Sequence, residues 1–229
     1  MCADLSVLNS FFRSTEMPLT RRHAIAGVAG ASAIGCAPLF TDAFALTPLL
    51  QPTPADSEGP FYPPEWRGDV DGDLLTVNGK RYSAGVSMLL MGRILSSEGT
   101  PLTDARVEIW QVDATGEYRH PRDGGDAPLK RGFQGFGRVT SDDKGGYRFR
   151  TIKPVNYGGR PAHVHFRVEA KGYKSLTTQM YFAGENTERS GFGGFSKARD
   201  RLTIKPEAMR DPADGAQLAA KFEIVLAKA

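Results

Sequence analysis

Phe136-Gly-Arg-Val-Thr140, Ser141-Asp-Asp-Lys-Gly-Gly146 and Tyr147-Arg148-Phe149-Arg150-Thr-Ile152 form the continuous stretch that decides the fold. Tyr147 and Phe149 alternate with Arg148 and Arg150, the period of two expected of a half-buried strand. The Asp- and Gly-rich segment before them is turn chemistry joining two strands. The same pattern repeats outward along the chain. Residues 86–95 end at Ser96-Ser-Glu-Gly99, and residues 107–112 end at Asp113-Ala-Thr-Gly116. Residues 163–170 turn at Lys171-Gly172 into 176–182, and 221–226 close the chain. Short strands at this spacing predict an all-β fold, an antiparallel β-sandwich of the immunoglobulin or prealbumin kind. Helix is expected only as a turn or two, at residues 207–209 and 212–220. Residues 70–229 show no internal repeat and no break in composition, so they read as one domain. At that size a core of Val, Ile, Leu and Phe suffices without staples.

The ends of the chain carry other signals. Thr20-Arg21-Arg22 opens a twin-arginine pattern, an apolar run of small residues follows from Ala24, and Ala43-Phe-Ala45 offers a small-x-small cleavage site. Residues 1–45 are therefore expected to be a twin-arginine export signal, giving a periplasmic or extracellular protein. Met17 would open a leader of more ordinary length than Met1 does. Ala33-Ile-Gly-Cys36 resembles a lipoprotein box, but Ala stands where a larger aliphatic residue is usual, so release at Ala45 is expected over a lipid anchor. Both cysteines, Cys2 and Cys36, fall before the cut. The remaining chain has no disulfide and no thiolate ligand. Residues 46–69, rich in Pro, should run as an extended arm. A net charge of +3 gives no reason to expect a nucleic-acid or membrane-surface partner.

Chemistry concentrates in Tyr157-Gly-Gly-Arg160-Pro-Ala-His163-Val-His165. On a strand, His163 and His165 share one face. His-x-His pairs occur by chance on surface strands, but here the pair holds two of the three histidines beyond residue 45. Tyr118, in Gly116-Glu-Tyr118-Arg-His120, and Tyr157 lie in polar, Gly-bearing segments where packing gives no reason for a phenol. Two imidazoles with two phenolates suit a hard trivalent ion, with ferric iron the first candidate. A jelly-roll metalloprotein using the pair with His120 is the competing metal reading. It lacks a histidine after His165.

Several ordered segments resemble the intradiol ring-cleaving catechol dioxygenases, in particular the protocatechuate 3,4-dioxygenase-like branch. They are Thr53-Pro-Ala-Asp-Ser-Glu-Gly-Pro-Phe-Tyr62, Val107-Glu-Ile-Trp110-Gln-Val-Asp113-Ala-Thr-Gly-Glu-Tyr118-Arg-His120, Gly146-Tyr-Arg-Phe-Arg-Thr-Ile-Lys-Pro154, Arg160-Pro-Ala-His163-Val-His165-Phe166 and Thr178-Gln179-Met-Tyr-Phe-Ala-Gly184. The resemblance implies that Tyr118, Tyr157, His163 and His165 hold a mononuclear Fe(III), with Arg160 and Gln179 beside the substrate ring. It implies insertion of both atoms of O2 into a catecholic ring, between the hydroxyl-bearing carbons, to give a cis,cis-muconate-type diacid. Tyr157 would accept a substrate proton as it leaves the metal, and Arg160 would stabilise charge on the ring. Only Gly158-Gly159 separate Tyr157 from Arg160, where better-known members carry a long aromatic-bearing loop. This compact spacing resembles the exported members. The resemblance leaves open the particular catechol and whether the chain forms a homo-oligomer. A non-catalytic β-sandwich binding module or subunit is the alternative, since the fold also serves without metal.

Overall fold

The computed structural model describes residues 48–185, 197–209 and 215–229. The expected leader, with Met17 and Cys36, lies outside them. β1 (Thr76–Val77) and β2 (Lys80–Arg81) form a small hairpin over Asn78-Gly79, both at positive φ, the two-residue turn whose twist suits antiparallel strands. Along the chain follow β3 (Val86–Ser96), β4 (Arg106–Trp110), α1 (Ala127–Arg131), β5 (Phe136–Thr140), β6 (Gly146–Lys153), β7 (His163–Glu169) and β8 (Leu176–Phe182). The rest are α2 (Lys197–Asp200), β9 (Thr203–Ile204), β10 (Glu207–Ala208), β11 (Leu218–Lys221) and β12 (Ile224–Leu226).

Two five-stranded sheets make the sandwich. One is built on the long β3, which pairs antiparallel with β6 and parallel with β11 and β12; β10 pairs with β11. The other runs β5-β4-β7-β8-β9, antiparallel except for the final β8–β9 pair. The antiparallel reading thus holds for the central pairings, while β9, β11 and β12 add in parallel. Helix is as sparse as expected but sits elsewhere. Residues 207–208 are strand and 218–220 begin β11, so the turns of helix expected there are not formed among the described residues. The helices are α1 and α2 instead. Pro128 in the first turn of α1 and Gly132 at its left-handed C-cap explain that helix locally.

The alternation along β7 positions the site. Val164, Phe166 and Val168 are fully buried in the core between the sheets, so His163 and His165 emerge on the opposite face. One close approach shapes the other sheet. A Cβ on Gly92 would sit 1.9 Å from the Phe222 carbonyl oxygen, which accepts the Tyr147 hydroxyl at 2.5 Å. Any side chain at 92 would push apart the junction of β11 and β12.

Candidate active site

β-Sheet register builds the first half of the site. His165 lies opposite Trp110 on β4 and Gln179 on β8, and His163 lies opposite Tyr181. Both histidines are buried. The Nδ1–H of His163 donates to the Pro161 carbonyl at 2.7 Å, which fixes the tautomer and leaves its Nε2 as a lone pair. His165 stacks flat on the Trp110 indole, and its buried Nδ1 lies toward the Ser57 backbone without a fully formed hydrogen bond.

A loop brings in the phenol. Asp113 accepts from Thr115, the Glu117 N–H and Arg131, so α1 is tied to the turn that precedes Tyr118. The buried Tyr118 then places its hydroxyl 3.2 Å from His163 Nε2 and 3.1 Å from His165 Nε2, while the two nitrogens are 3.2 Å apart. Three donors meet around one point with a single phenolic proton to share. A cation held at that point would satisfy all three. The donor set, two neutral nitrogens and a hard oxygen, fits iron.

Burial governs the protonation of this cluster. Desolvation pushes the Tyr118 phenol well above its usual range, partly opposed by the charge of Arg160. His163 is held down at about 4 by burial and then by Arg160, and His165 falls well below the usual range through burial, His163 and Arg160. Both imidazoles are therefore neutral at neutral pH, as ligands must be.

Tyr157 stands beside this triangle rather than in it. Its ring meets Tyr118 edge-on at 5.3 Å, and its hydroxyl donates to Asp123 Oδ1 at 3.1 Å. The other oxygen of Asp123 accepts the Tyr118 backbone N–H at 2.6 Å, so one carboxylate braces both tyrosines. Tyr157 and Arg160 are joined by two backbone hydrogen bonds across Gly158-Gly159, both at positive φ. A Cβ on either glycine would meet nothing within 4 Å. Both glycines face open space between the cavity-lining residues Tyr157 and Arg160.

Arg160 donates to Gln179 Oε1 at 2.6 Å, and Gln179 Nε2 donates to the Ser57 carbonyl at 2.5 Å. The Pro-rich arm thus forms a wall of the site. Asp56, Ser57, Gly59, Pro60 and Phe61 line a cavity of about 460 Å³ together with Tyr118, Tyr157, Arg160, His165, Tyr181 and Arg199. Phe61 stacks on Tyr118 at 4.7 Å. Sequence reasoning missed Asp56, Phe61, Asp123 and Arg199. Only the spacing Tyr118-Arg-His-Pro-Arg-Asp123, a short turn able to fold back, hinted at one of them. His120 does not join the cluster. Its Nδ1 accepts the Arg122 N–H and its ring packs against Phe61, while no group of three His, Cys, Asp or Glu side chains forms among the described residues. That corrects the jelly-roll alternative.

The family described as Dioxygenase matches residues 57–228. The protocatechuate 3,4-dioxygenase beta chain of Burkholderia cepacia is 38% identical over 184 residues, covering 75% of this chain and 77% of its own. The chain belongs to the intradiol dioxygenase family. Catechol 1,2-dioxygenase of Acinetobacter baylyi is 34% identical over 70% of this chain, which spans only 55% of that relative. Among solved structures, the dioxygenase domain of a dioxygenase carbohydrate-binding protein fusion from Streptomyces sp. SirexAA-E superposes with a TM-score of 0.60. It is 28% identical and covers 78% of this chain and 100% of that one. Membership of a ring-cleaving enzyme family decides against the non-catalytic module.

Proposed function

We propose that this chain is an Fe(III)-dependent intradiol dioxygenase that opens a catecholic ring with O2. The observation that carries the reading is the meeting of the Tyr118 hydroxyl with His163 Nε2 and His165 Nε2, 3.1–3.2 Å apart, at the edge of an arm-covered cavity. Tyr118, His163 and His165 would hold the iron, with Tyr157 able to join by leaving Asp123. Bound there, the ferric ion supplies Lewis acidity, drawing charge out of a chelated diol.

The chain's own groups handle the rest. Of the diol's two protons, a Tyr157 phenolate would take one, and Asp123 Oδ1 accepts the hydrogen bond of the resulting hydroxyl; the other would pass to solvent water. Arg160, oriented by Gln179, places a cation where negative charge grows on the ring. Phe61 and Pro60 restrict water from the arm side, and the open edge at Gly158-Gly159 tolerates ring substituents.

The test is a visible spectrum of purified iron-loaded protein titrated with a panel of catechols, read together with oxygen uptake. A colourless protein holding stoichiometric zinc and consuming no O2 would overturn the reading. Residues 1–45 are proposed as a twin-arginine export signal; Arg21→Lys with Arg22→Lys should keep the protein in the cytoplasm, and the exported form should begin at Leu46.

A further inference from the structure

The cavity sets a carboxylate near the guanidinium on which the ring chemistry depends, yet the two are not paired. Three charged side chains line it: Asp56, Arg160 and Arg199. Arg160 donates to the neutral amide oxygen of Gln179 at 2.6 Å and forms no ion pair among the described residues. Asp56 is held elsewhere. Its Oδ1 accepts the Ser57 N–H at 2.7 Å, and its Oδ2 accepts the Tyr181 hydroxyl at 2.9 Å. The same hydroxyl lies 2.9 Å from Gln179 Oε1. The phenol therefore stands between the carboxylate and the amide that carries Arg160.

Tyr181 is built in firmly. It is buried, with the His163 ring 6.0 Å away and the Arg199 Cζ 4.3 Å from its own ring centroid. Arg199 also hydrogen-bonds its hydroxyl, which sets a cation beside the one that Asp56 lacks in Arg160. Asp56 and Arg199 oppose each other in charge across Tyr181, and the cavity's remaining cation is Arg160. A phenol with a free pKa of about 10 is uncharged at neutral pH, and burial raises it further despite Arg199. Without that hydroxyl, Coulomb attraction across a desolvated gap would draw the Asp56 carboxylate to Arg160 and neutralise it.

We infer that Tyr181 is a positioning residue that insulates Arg160 from Asp56, so that the guanidinium faces the reacting ring as an unneutralised cation. The inference rests on the proposed ring-cleaving function and adds a residue to the same site. Tyr181 acts through its two neighbours: it engages Asp56 directly, and it steadies the Gln179 oxygen that aims Arg160.

The experiment uses Tyr181→Phe, which keeps the ring and deletes the hydroxyl, in the iron-loaded full chain with unsubstituted catechol. Turnover should fall about 10-fold while KM changes by less than about 2-fold. Adding Asp56→Asn to that variant removes the carboxylate charge and should restore most of the turnover, whereas a packing defect would not be relieved by a second substitution. Gln179→Glu, which sets a carboxylate directly against Arg160 and leaves Tyr181 in place, should lower turnover in the same way. Undiminished turnover in Tyr181→Phe or in Gln179→Glu would overturn the inference. So would a Tyr181→Phe defect that Asp56→Asn leaves untouched. Urea unfolding reads the pairing without any ring chemistry. Arg160→Ala should lower the midpoint more in the Tyr181→Phe background than in the native one, because only there is an ion pair lost. Equal shifts would overturn the insulation. Unequal shifts in a protein whose wild type takes up no O2 would sink the dioxygenase reading and leave the insulation standing.

Discussion

Trp110 and His165 lie face to face, ring centroids 4.8 Å apart and planes within 7° of parallel. The pair spans the β4–β7 register, and Trp110 is itself propped edge-on by Tyr62, whose hydroxyl donates to the buried Glu108 at 2.7 Å. An imidazole stacked on an indole resists tilting out of the plane in which its Nε2 meets Tyr118. Trp110→Ala should cost about 3–5 kcal/mol of stability by emptying a buried site, and should weaken iron retention as well. Trp110→Phe restores a flat partner and should keep most of the iron. Denaturant unfolding and iron content of the two variants decide it; equal iron loss in both would mean that stacking is irrelevant.

Tyrosinate on Fe(III) should give a visible charge-transfer band and a wine-red protein. Tyr118→Phe removes the oxygen nearest both imidazoles and should abolish the band with the iron. Tyr157→Phe should shift or weaken it while retaining metal, because that hydroxyl rests on Asp123. Absorption spectra with metal analysis test both. Identical spectra for wild type and Tyr157→Phe would remove Tyr157 from the ligand set.

Replacing either His163 or His165 with Ala should lose iron and oxygen uptake together. His120→Ala should keep both, since that ring packs on Phe61 outside the donor triangle. If His120→Ala also lost its iron, the donor set would have to be redrawn.

Arg160→Ala should lower turnover by about 100-fold while changing substrate affinity far less, because the charge it meets develops during reaction. Steady-state kinetics separates the two. Retained turnover with a loss confined to binding would make Arg160 an anchor.

Acid should reveal the brace behind Tyr118. Burial pushes the Asp113 carboxyl up, but the Thr115 hydroxyl, Arg131 and the N–H groups of Thr115 and Glu117 outweigh it and hold it below the usual range. A folded value below the unfolded one means the native state binds fewer protons. Its stabilisation is therefore complete above the unfolded pKa of about 4 and is lost as pH falls through the folded value. Asp113→Ala should destabilise by about 3 kcal/mol at pH 7, and the gap to wild type should narrow below about pH 4. Urea unfolding at pH 7 and pH 3 is the measurement; a constant gap would assign the effect to packing alone.

Much of this was legible because strands announce their period. Residues 136–140 and 176–182 were read with the bounds they have, and the same-face placement of His163 and His165 follows from alternation in β7. Strand direction leaves no such mark. The apolar residues of 221–226 predict a strand but not that β11 and β12 run parallel to β3. The Asn78-Gly79 turn and the Pro128…Gly132 helix bounds are local signals that the sequence does carry. The arm's part in the site was harder to see, because Ser57 contributes a backbone carbonyl and any residue can supply one. Asp123 and Arg199 look like ordinary polar loop residues until the fold brings them to Tyr157 and Tyr181.

The arm that walls the cavity is fastened at its start to the other end of the chain. Thr53 N–H donates to the Val225 carbonyl at 2.9 Å, and Val225 N–H returns to the Thr53 hydroxyl at 2.9 Å. Farther along, the same arm is laced to β8, where the Asp56 N–H donates to the Thr177 carbonyl at 3.0 Å and the Thr178 hydroxyl to the Pro54 carbonyl at 2.7 Å. Residues 53–57 are thus stitched to both sheets at once, so lifting the arm off the cavity breaks bonds to each of them, and the wall should open as a unit rather than fray from one end.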